Sequence, residues 1–444
     1  MSLEPQALPP SSDPGLDVTG DPLQRRTLTT LIGGQIIGAI GVSSGIAVGS
    51  LLAAQVSGSE KYAGLSGTFQ VLGGALAALV VARVMAARGR RPGLMLGYAI
   101  GTVGAAVIIG AALIGNFPLL LIGSILFGGA TASNSQARFA AADLSAPAHR
   151  GRHISIVVWA TTIGAVFGPN LTEPGAWIAR RTHLPELAGP FVFSLLGFVV
   201  AGPLLWIRLR PDPLLAARER AAAALPEGSA ATPLRARTAH GGLRRGLSAI
   251  AEHRAALLGI TAMALGHAVM VSVMVMTPLH MRHGHADLQI IGFVISLHIV
   301  GMYALSPVTG WAVDRFGARV VIAIGSGLLI GASALAATSE KGASSHLTIA
   351  LILLGLGWSC TLVAGSTLLT GALDLDDRPA GQGVADVAMG LAGGGGGALA
   401  GVVVDQQGFS ALAIGAGLLA GLIGIAAATI KERPAGAGDR PAQV

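Results

Sequence analysis

The sequence is poor in charged residues, in aromatic residues and in cysteine. Of its 444 residues, 11% are charged and 4% are aromatic, and Cys360 is the single cysteine. One cysteine excludes a disulfide within the chain and a metal motif built from paired cysteines. Hydrophobic residues instead make up 52% of the chain, and the mean hydropathy is +0.67. This composition excludes an ordinary soluble protein and indicates an integral membrane protein.

Long apolar runs divide the chain into two similar halves. Six runs lie between residues 28 and 208 and six more between 255 and 430, each near the ~20 residues that a membrane span needs. We therefore predict an all-α integral membrane protein, with twelve transmembrane helices in two pseudo-symmetric six-helix bundles. The predicted segments are a disordered tail (1–26), an N-terminal bundle (27–209), a central loop (210–253), a C-terminal bundle (254–431) and a second tail (432–444).

Lysine and arginine are distributed unevenly between the segments that join these spans. If both termini are cytoplasmic, the cytoplasmic segments hold all 29 basic residues except Lys61, Arg180, Arg181, Arg282 and Lys341. An excess of Lys and Arg marks the cytoplasmic side of a membrane protein. We therefore expect a multi-pass protein of a bacterial cytoplasmic membrane, with the bilayer and no nucleic acid as partner, and we expect a monomer.

The loop between the eighth and ninth spans reads GWAVDRFGAR. It resembles the signature loop G-x-x-x-D-R-x-G-x-[RK] of the major facilitator superfamily, at the positions Gly310, Asp314, Arg315, Gly317 and Arg319. The resemblance implies two bundles that hold a substrate between them near the midplane. We expect Asp314 to pair with an arginine or a helix N-terminus across the bundles. The matching loop of the first half, residues 82–92, keeps only the stretch 88–91 of the motif and lacks the aspartate. We therefore expect the lock there, meaning the contact that holds the two bundles together at the gate, to be weakened or absent.

Methionine and histidine concentrate in residues 263–302, which hold six of the ten Met and five of the eleven His. Met263, His267, Met270 and Met274 are three or four residues apart on the seventh span, and His298 and Met302 form an i,i+4 pair on the eighth. Such residues share one face of a helix. Thioether and imidazole groups suit copper, and adjacent helices would present them as a ladder. The alternative is that the methionines only fill space in the core.

The pairs Met270-x-x-x-Met274 and His298-x-x-x-Met302 resemble the paired motifs of the CcoA-type copper importers, a bacterial branch of this superfamily that supplies copper for cytochrome c oxidase assembly. The resemblance implies that these four residues bind copper, and that copper is imported as substrate and delivered to a cytoplasmic chaperone or acceptor. The expected auxiliary ligands are Met263 and His267 within the ladder and, at an outer mouth, His280, Met281, His283 and His285. The alternative for the four residues at the outer opening of the transport path is that they lie in a solvated loop and bind no metal.

A different function is indicated by Gly164, Gly168 and Pro169, which look like the fifth-helix motif of antiporter-type members. They favour a proton-coupled exporter of small organic compounds or drugs. Asp386 in the eleventh span is a candidate proton or cation relay, with an ion pair near the inner interface as the alternative. Arg138 we interpret as an anchor at that interface. No phosphate-binding loop or catalytic triad is present, so we expect neither enzymatic activity nor a cofactor.

Overall fold

A computed structural model describes residues 21–59, 62–224, 242–285, 288–339 and 345–430, and the regular elements in these ranges are helices. The first half and the connecting segment contain α1 (Pro22–Ser57), α2 (Leu65–Arg88), α3 (Arg90–Ile114), α4 (Phe117–Ala140), α5 (Arg150–Asn170), α6 (Thr172–Arg181), α7 (Gly189–Arg208), α8 (Pro213–Ala223) and α9 (Gly242–Glu252). The second half contains α10 (Arg254–His283), α11 (Leu288–Tyr303), α12 (Ser306–Phe316), α13 (Ala318–Ala337), α14 (Ser345–Ala372), α15 (Arg378–Gln407) and α16 (Phe409–Thr429).

Within these ranges, eleven helices or continuous helix pairs are long and apolar enough to cross a membrane. Helices α11 and α12 form one such span, and α7 continues into α8 in another. Helices α5 and α6 meet at a bend of 50° and complete a twelfth span if they are counted together. Twelve crossings place the start of α1 and the end of α16 on the same side, which we call the basic end.

Short polar and glycine-containing turns set where the spans begin and end. Gly115 ends α3 with a φ of 65°, a left-handed conformation that glycine adopts without strain. Asn116 then caps α4, because its side-chain oxygen accepts a hydrogen bond from the backbone N–H of Leu119 at 2.9 Å. Pro118 lies in the first turn of α4, where its missing N–H leaves no bond unmade.

Each half has its own hydrophobic core, so the space between the halves is where polar groups can meet. The first core is built from α1 to α5 and α7, and the second is built mainly from α10 to α16. In the second half, α14 packs extensively against both α10 and α11, whereas α10 and α11 make little direct contact with each other. Helix α14 is therefore the element that joins the two helices of the methionine- and histidine-rich region.

Candidate functional site

A cavity of about 360 Å³ lies between the two halves, at mid-height of the spans. Helices α1, α2, α4 and α5 line it on one side, and α10, α11, α14 and α15 line it on the other. Cavities of this size bind small organic molecules in many proteins. A larger groove of about 670 Å³ lies between α13 and α16, but its lining is almost entirely apolar and its rim is exposed, as expected for a surface that contacts lipid.

An ion pair between the halves is part of the cavity wall. Arg138 of α4 and Asp386 of α15 both line the cavity, and the guanidinium Nη2 lies 2.9 Å from the carboxylate Oδ1. Ser135 and Gln136 donate further hydrogen bonds to the same carboxylate, at 2.8 and 2.7 Å. Both charged side chains are only 6% exposed. Arg138, interpreted above as an anchor at the membrane interface, lies in the last turn of α4 but lines the cavity. Its contact with Asp386 is the ion pair that was the alternative to a relay.

Aromatic side chains form the part of the cavity wall that belongs to the second half. The indole Nε1–H of Trp358 donates to Nδ1 of His267 at 2.9 Å. The ring of Tyr303 packs edge-on against Trp358, with 5.5 Å between the centroids. All three residues line the cavity. His267, predicted as an auxiliary ligand, is thus positioned here by an indole N–H that takes up its Nδ1 lone pair.

Amide side chains occupy the first-half part of the wall. Gln35 of α1 donates from Nε2 to the hydroxyl of Thr161 at 2.9 Å. The phenol O–H of Tyr98 donates to Oδ1 of Asn134 at 2.6 Å. Gly38 lies one turn after Gln35, and a Cβ on it would approach that Asn134 oxygen to 2.7 Å. The missing side chain therefore lets Tyr98 and Asn134 lie directly against α1.

The predicted ligands Met270, Met274, His298 and Met302 occupy the interior of the second half. Met270 and Met302 are buried in its core, and Met274 is partly buried against it. His298 is fully buried, and its Nδ1 bonds to the carbonyl oxygen of Leu351 at 2.7 Å. Because α14 lies against both α10 and α11, the expectation that these two helices are packing neighbours is wrong. None of these four residues lines the central cavity.

The auxiliary positions are divided between the core and the surface. Met263 is buried, and its sulfur accepts a hydrogen bond from the Ser366 hydroxyl at 3.3 Å. His280 stacks on Phe409 with 4.2 Å between ring centroids, and Met281 is buried beside it, so these two do not belong to an open mouth. His283 and His285 are exposed at the end of α10. In the described ranges, no three His, Cys, Asp or Glu side chains form a group that could hold a metal ion.

Of the two partners predicted for Asp314, an arginine or a helix N-terminus, the structure shows the helix N-terminus. Its carboxylate accepts hydrogen bonds from the backbone N–H groups of Gly151 and Arg152 at the start of α5, at 2.8 and 2.9 Å. Gly310 permits this approach, because a Cβ on it would lie 2.7 Å from the carbonyl oxygen of Gly151. The other motif positions shape the same turn: Gly317 has a φ of 88°, and Arg319 donates to the backbone oxygens of Ala427 and Ala428 at the end of α16. Arg315 is exposed.

The expectation of a weakened or absent lock in the first half is wrong. Arg90 is fully buried, forms a two-bond ion pair with Asp143 at 2.6 and 3.1 Å, and donates across the halves to Gln382 at 2.7 Å. Arg218 of α8 adds an ion pair to Asp376 of the second half at 2.8 Å. The lock is present, but its carboxylates come from outside the motif.

These contacts close the basic end below the cavity. The cavity is also lined by Gln35 and Trp358, which could not be identified from the pattern of metal ligands in the sequence. Two features of the sequence could have pointed to them as functional residues. An amide inside a membrane span costs free energy unless it has a partner, and tryptophan is rare in this chain, with five in 444 residues.

Comparison with known proteins supports the fold and the family. The family model described as Major Facilitator Superfamily matches residues 30–289 and 258–443. The MFS-type transporter YdeG of Bacillus subtilis (strain 168) is 40% identical over 406 residues, covering 90% of this chain and 91% of its own. The riboflavin transporter RfnT of Brucella anthropi is 27% identical over 373 residues, covering 82% and 85%.

Solved structures agree in fold. A bacterial homologue of the iron transporter ferroportin, in its outward-facing state, superposes with a TM-score of 0.70 at 13% identity, covering 90% of this chain and 98% of its own. The human organic anion transporter MFSD10 gives a TM-score of 0.67 at 18% identity, covering 92% and 100%. The predicted all-helical, two-bundle membrane fold is confirmed.

Proposed function

Because the chain belongs to the major facilitator superfamily and is therefore a secondary transporter and not an enzyme, we propose that it moves a small organic solute through the central cavity, coupled to protons. The observation that carries this proposal is the buried Arg138–Asp386 pair in the cavity wall. It combines a group that can take up a proton with a position where the solute would bind.

The pair offers a direct means of coupling. While Asp386 is ionised, it holds α15 against α4 through Arg138, Ser135 and Gln136. Protonation would remove the negative charge and weaken the contact with Arg138, which would then remain as an unpaired buried cation. Loss of one partner from a buried ion pair costs roughly 3–5 kcal/mol, enough to shift the balance between two arrangements of the bundles.

An organic solute fits the cavity better than a lone metal ion does. The wall combines aromatic rings with amide and hydroxyl groups, which is the usual lining for a small molecule held by a few oriented hydrogen bonds. The relative named as a riboflavin transporter supports an organic substrate, and the YdeG relative supports transport without naming a substrate. The export of small organic compounds, indicated above by Gly164, Gly168 and Pro169, falls within this proposal.

The test is proton movement driven by solute in proteoliposomes that contain the purified full chain and a trapped pH dye. We expect at least one member of a panel of riboflavin, sugars, nucleosides and aromatic drugs to move protons with the wild type. Asp386→Asn should abolish this movement. Asp405→Asn is the matched control, because Asp405 lies on the same helix but is exposed outside the cavity. Failure of every solute with the wild type, or full activity of Asp386→Asn, would contradict the proposal.

Copper import for cytochrome oxidase assembly is a second candidate, supported by one observation. The Nε2 atom of His298 is buried and has no hydrogen-bond partner within the described residues, while Nδ1 bonds to a backbone carbonyl. Histidine ligands of metals commonly have this arrangement. Uptake of radioactive copper by cells that express the wild type, and its loss in His298→Ala or Met270→Ala at equal protein levels, would support copper. Equal uptake by wild type and variants would exclude this site.

A further inference from the structure

Two aromatic side chains, Trp358 and Tyr303, line the cavity of a chain that has few aromatic residues. The sequence has five tryptophans and three tyrosines. Trp159, Trp177 and Trp311 are at least 36% exposed on the outer surface, whereas Trp358 is 5% exposed and lines the cavity. Its N–H is bonded to His267, so Trp358 offers a bound molecule only flat ring surface. Tyr303 lies edge-on to Trp358 and adds a second aromatic side chain to this wall. A flat aromatic ring is the kind of group that packs well on such a wall.

The amides of the opposite wall each leave one hydrogen-bonding atom unused. Gln35 gives its N–H to Thr161, and its buried Oε1 has no partner within the described residues. Asn134 accepts from Tyr98 through Oδ1, which leaves its amide N–H₂ as a donor beside the cavity. A buried carbonyl without a partner costs free energy unless a ligand or water supplies the missing donor. The wall thus offers one acceptor and one donor.

From these two walls, and on the basis of the proposed function, we infer that the solute is a flat heteroaromatic compound with an amide or imide edge. Its ring would pack against Trp358 and Tyr303. Its edge N–H would donate to Gln35, and its edge carbonyl would accept from Asn134. A cavity of about 360 Å³ accommodates a ring system of two or three fused rings with a short side chain. Neither a sugar nor an aliphatic acid would use both walls.

The test measures equilibrium binding to the purified full chain. The probes are riboflavin, lumichrome (the fused-ring system with an imide edge and no polyol chain), 3-methylriboflavin (in which a methyl group blocks the imide N–H) and ribitol (the polyol without rings). We expect riboflavin and lumichrome to bind and ribitol not to compete. The methyl group should weaken binding about tenfold, because Gln35 loses its donor and the methyl group meets a polar atom.

Two pairs of variants assign the contacts. Gln35→Met removes the acceptor and should make riboflavin and 3-methylriboflavin bind almost equally. Thr161→Val is its control, because it removes the same protein hydrogen bond but leaves the Gln35 carbonyl in place, so the tenfold preference should persist. Trp358→Leu should weaken riboflavin binding about ten- to a hundredfold, whereas Trp358→Phe, which keeps a flat ring, should weaken it less than fivefold.

The outcomes separate this inference from the function on which it rests. If neither riboflavin nor lumichrome binds, or if the methyl group has no effect in the wild type, the inference is overturned. If a sugar of the panel still drives proton movement in that case, the proposed function stands without this inference. If no solute of the panel moves protons, both fail.

Discussion

Removing the carboxylate of Asp314 should open the basic end of the protein. In the closed arrangement this carboxylate accepts two backbone N–H groups at the start of α5, in the other half. A hydrogen bond to a charged group contributes roughly 1.5–3 kcal/mol, and the lower limit applies because Asp314 is only partly buried. Some of that energy is recovered when water bonds to the freed N–H groups. We therefore expect Asp314→Ala to disfavour the closed state by about 2 kcal/mol, a shift of about thirtyfold.

The assay is a distance measurement between spin labels on the two halves. Cys360 is the single cysteine and is buried, so Cys360→Ala gives a background in which labels can be attached at Ala87 of α2 and Phe316 of α12, both exposed at the basic end. The long-distance population should increase in Asp314→Ala. Asp405→Ala, at the far end of α15, should leave the distribution unchanged. An unaltered distribution in Asp314→Ala would refute the assignment of this contact as a lock.

Three further predictions concern stability, measured as thermal unfolding of the purified protein. Arg138→Met or Asp386→Leu alone should cost about 3 kcal/mol by leaving a buried charge unpaired, and the double variant should recover most of it; a double variant as unstable as the sum of the two would contradict the pairing. Gly310→Ala should cost about 2 kcal/mol because its methyl group meets backbone, whereas Gly327→Ala, which faces open space, should be nearly neutral; equal losses would contradict the close approach. An arginine of α8 lowers the pKa of Asp21, the N-cap of α1, below its usual 3.8. A lowered pKa means that the stabilisation is fully present above pH 3.8 and is lost at lower pH. Replacement of Asp21 by alanine should therefore cost about 1 kcal/mol at neutral pH, with a difference that shrinks as the pH falls below 3.8.

The sequence predicted the spans, the two-bundle fold and the kind of contact that Asp314 makes across the bundles, because these depend on composition and on spacing within a single loop or helix. The copper ladder depended on a different kind of information. Helical spacing fixes which residues share a face of α10 or of α11, but it does not specify that the two helices are neighbours. In the structure α14 packs against both, and His298 bonds to it.

The contact around Arg90 that locks the first half to the second shows the same limit of prediction from spacing in the sequence. The motif-like stretch around Arg90 has no aspartate of its own, and the expectation of a weak contact followed from that absence. Its acid is Asp143, more than 50 residues later in the turn after α4, and its partner in the other half is Gln382. Only the packing of α3, α4 and α15 brings these residues together. For the same reason a relay or an ion pair could be proposed for Asp386 from its place in a span, but Arg138 could not be identified as its partner.

The central claim is that Asp386 couples protons to an organic solute, and it is tested most directly by comparing exchange with accumulation in proteoliposomes. With the transported solute present on both sides, exchange of radiolabel requires only binding and rocking of the bundles. Accumulation against a gradient requires the proton. We predict that Asp386→Asn exchanges solute but no longer accumulates it when a pH gradient is imposed, whereas the wild type does both. Accumulation by Asp386→Asn at the wild-type level would contradict the account.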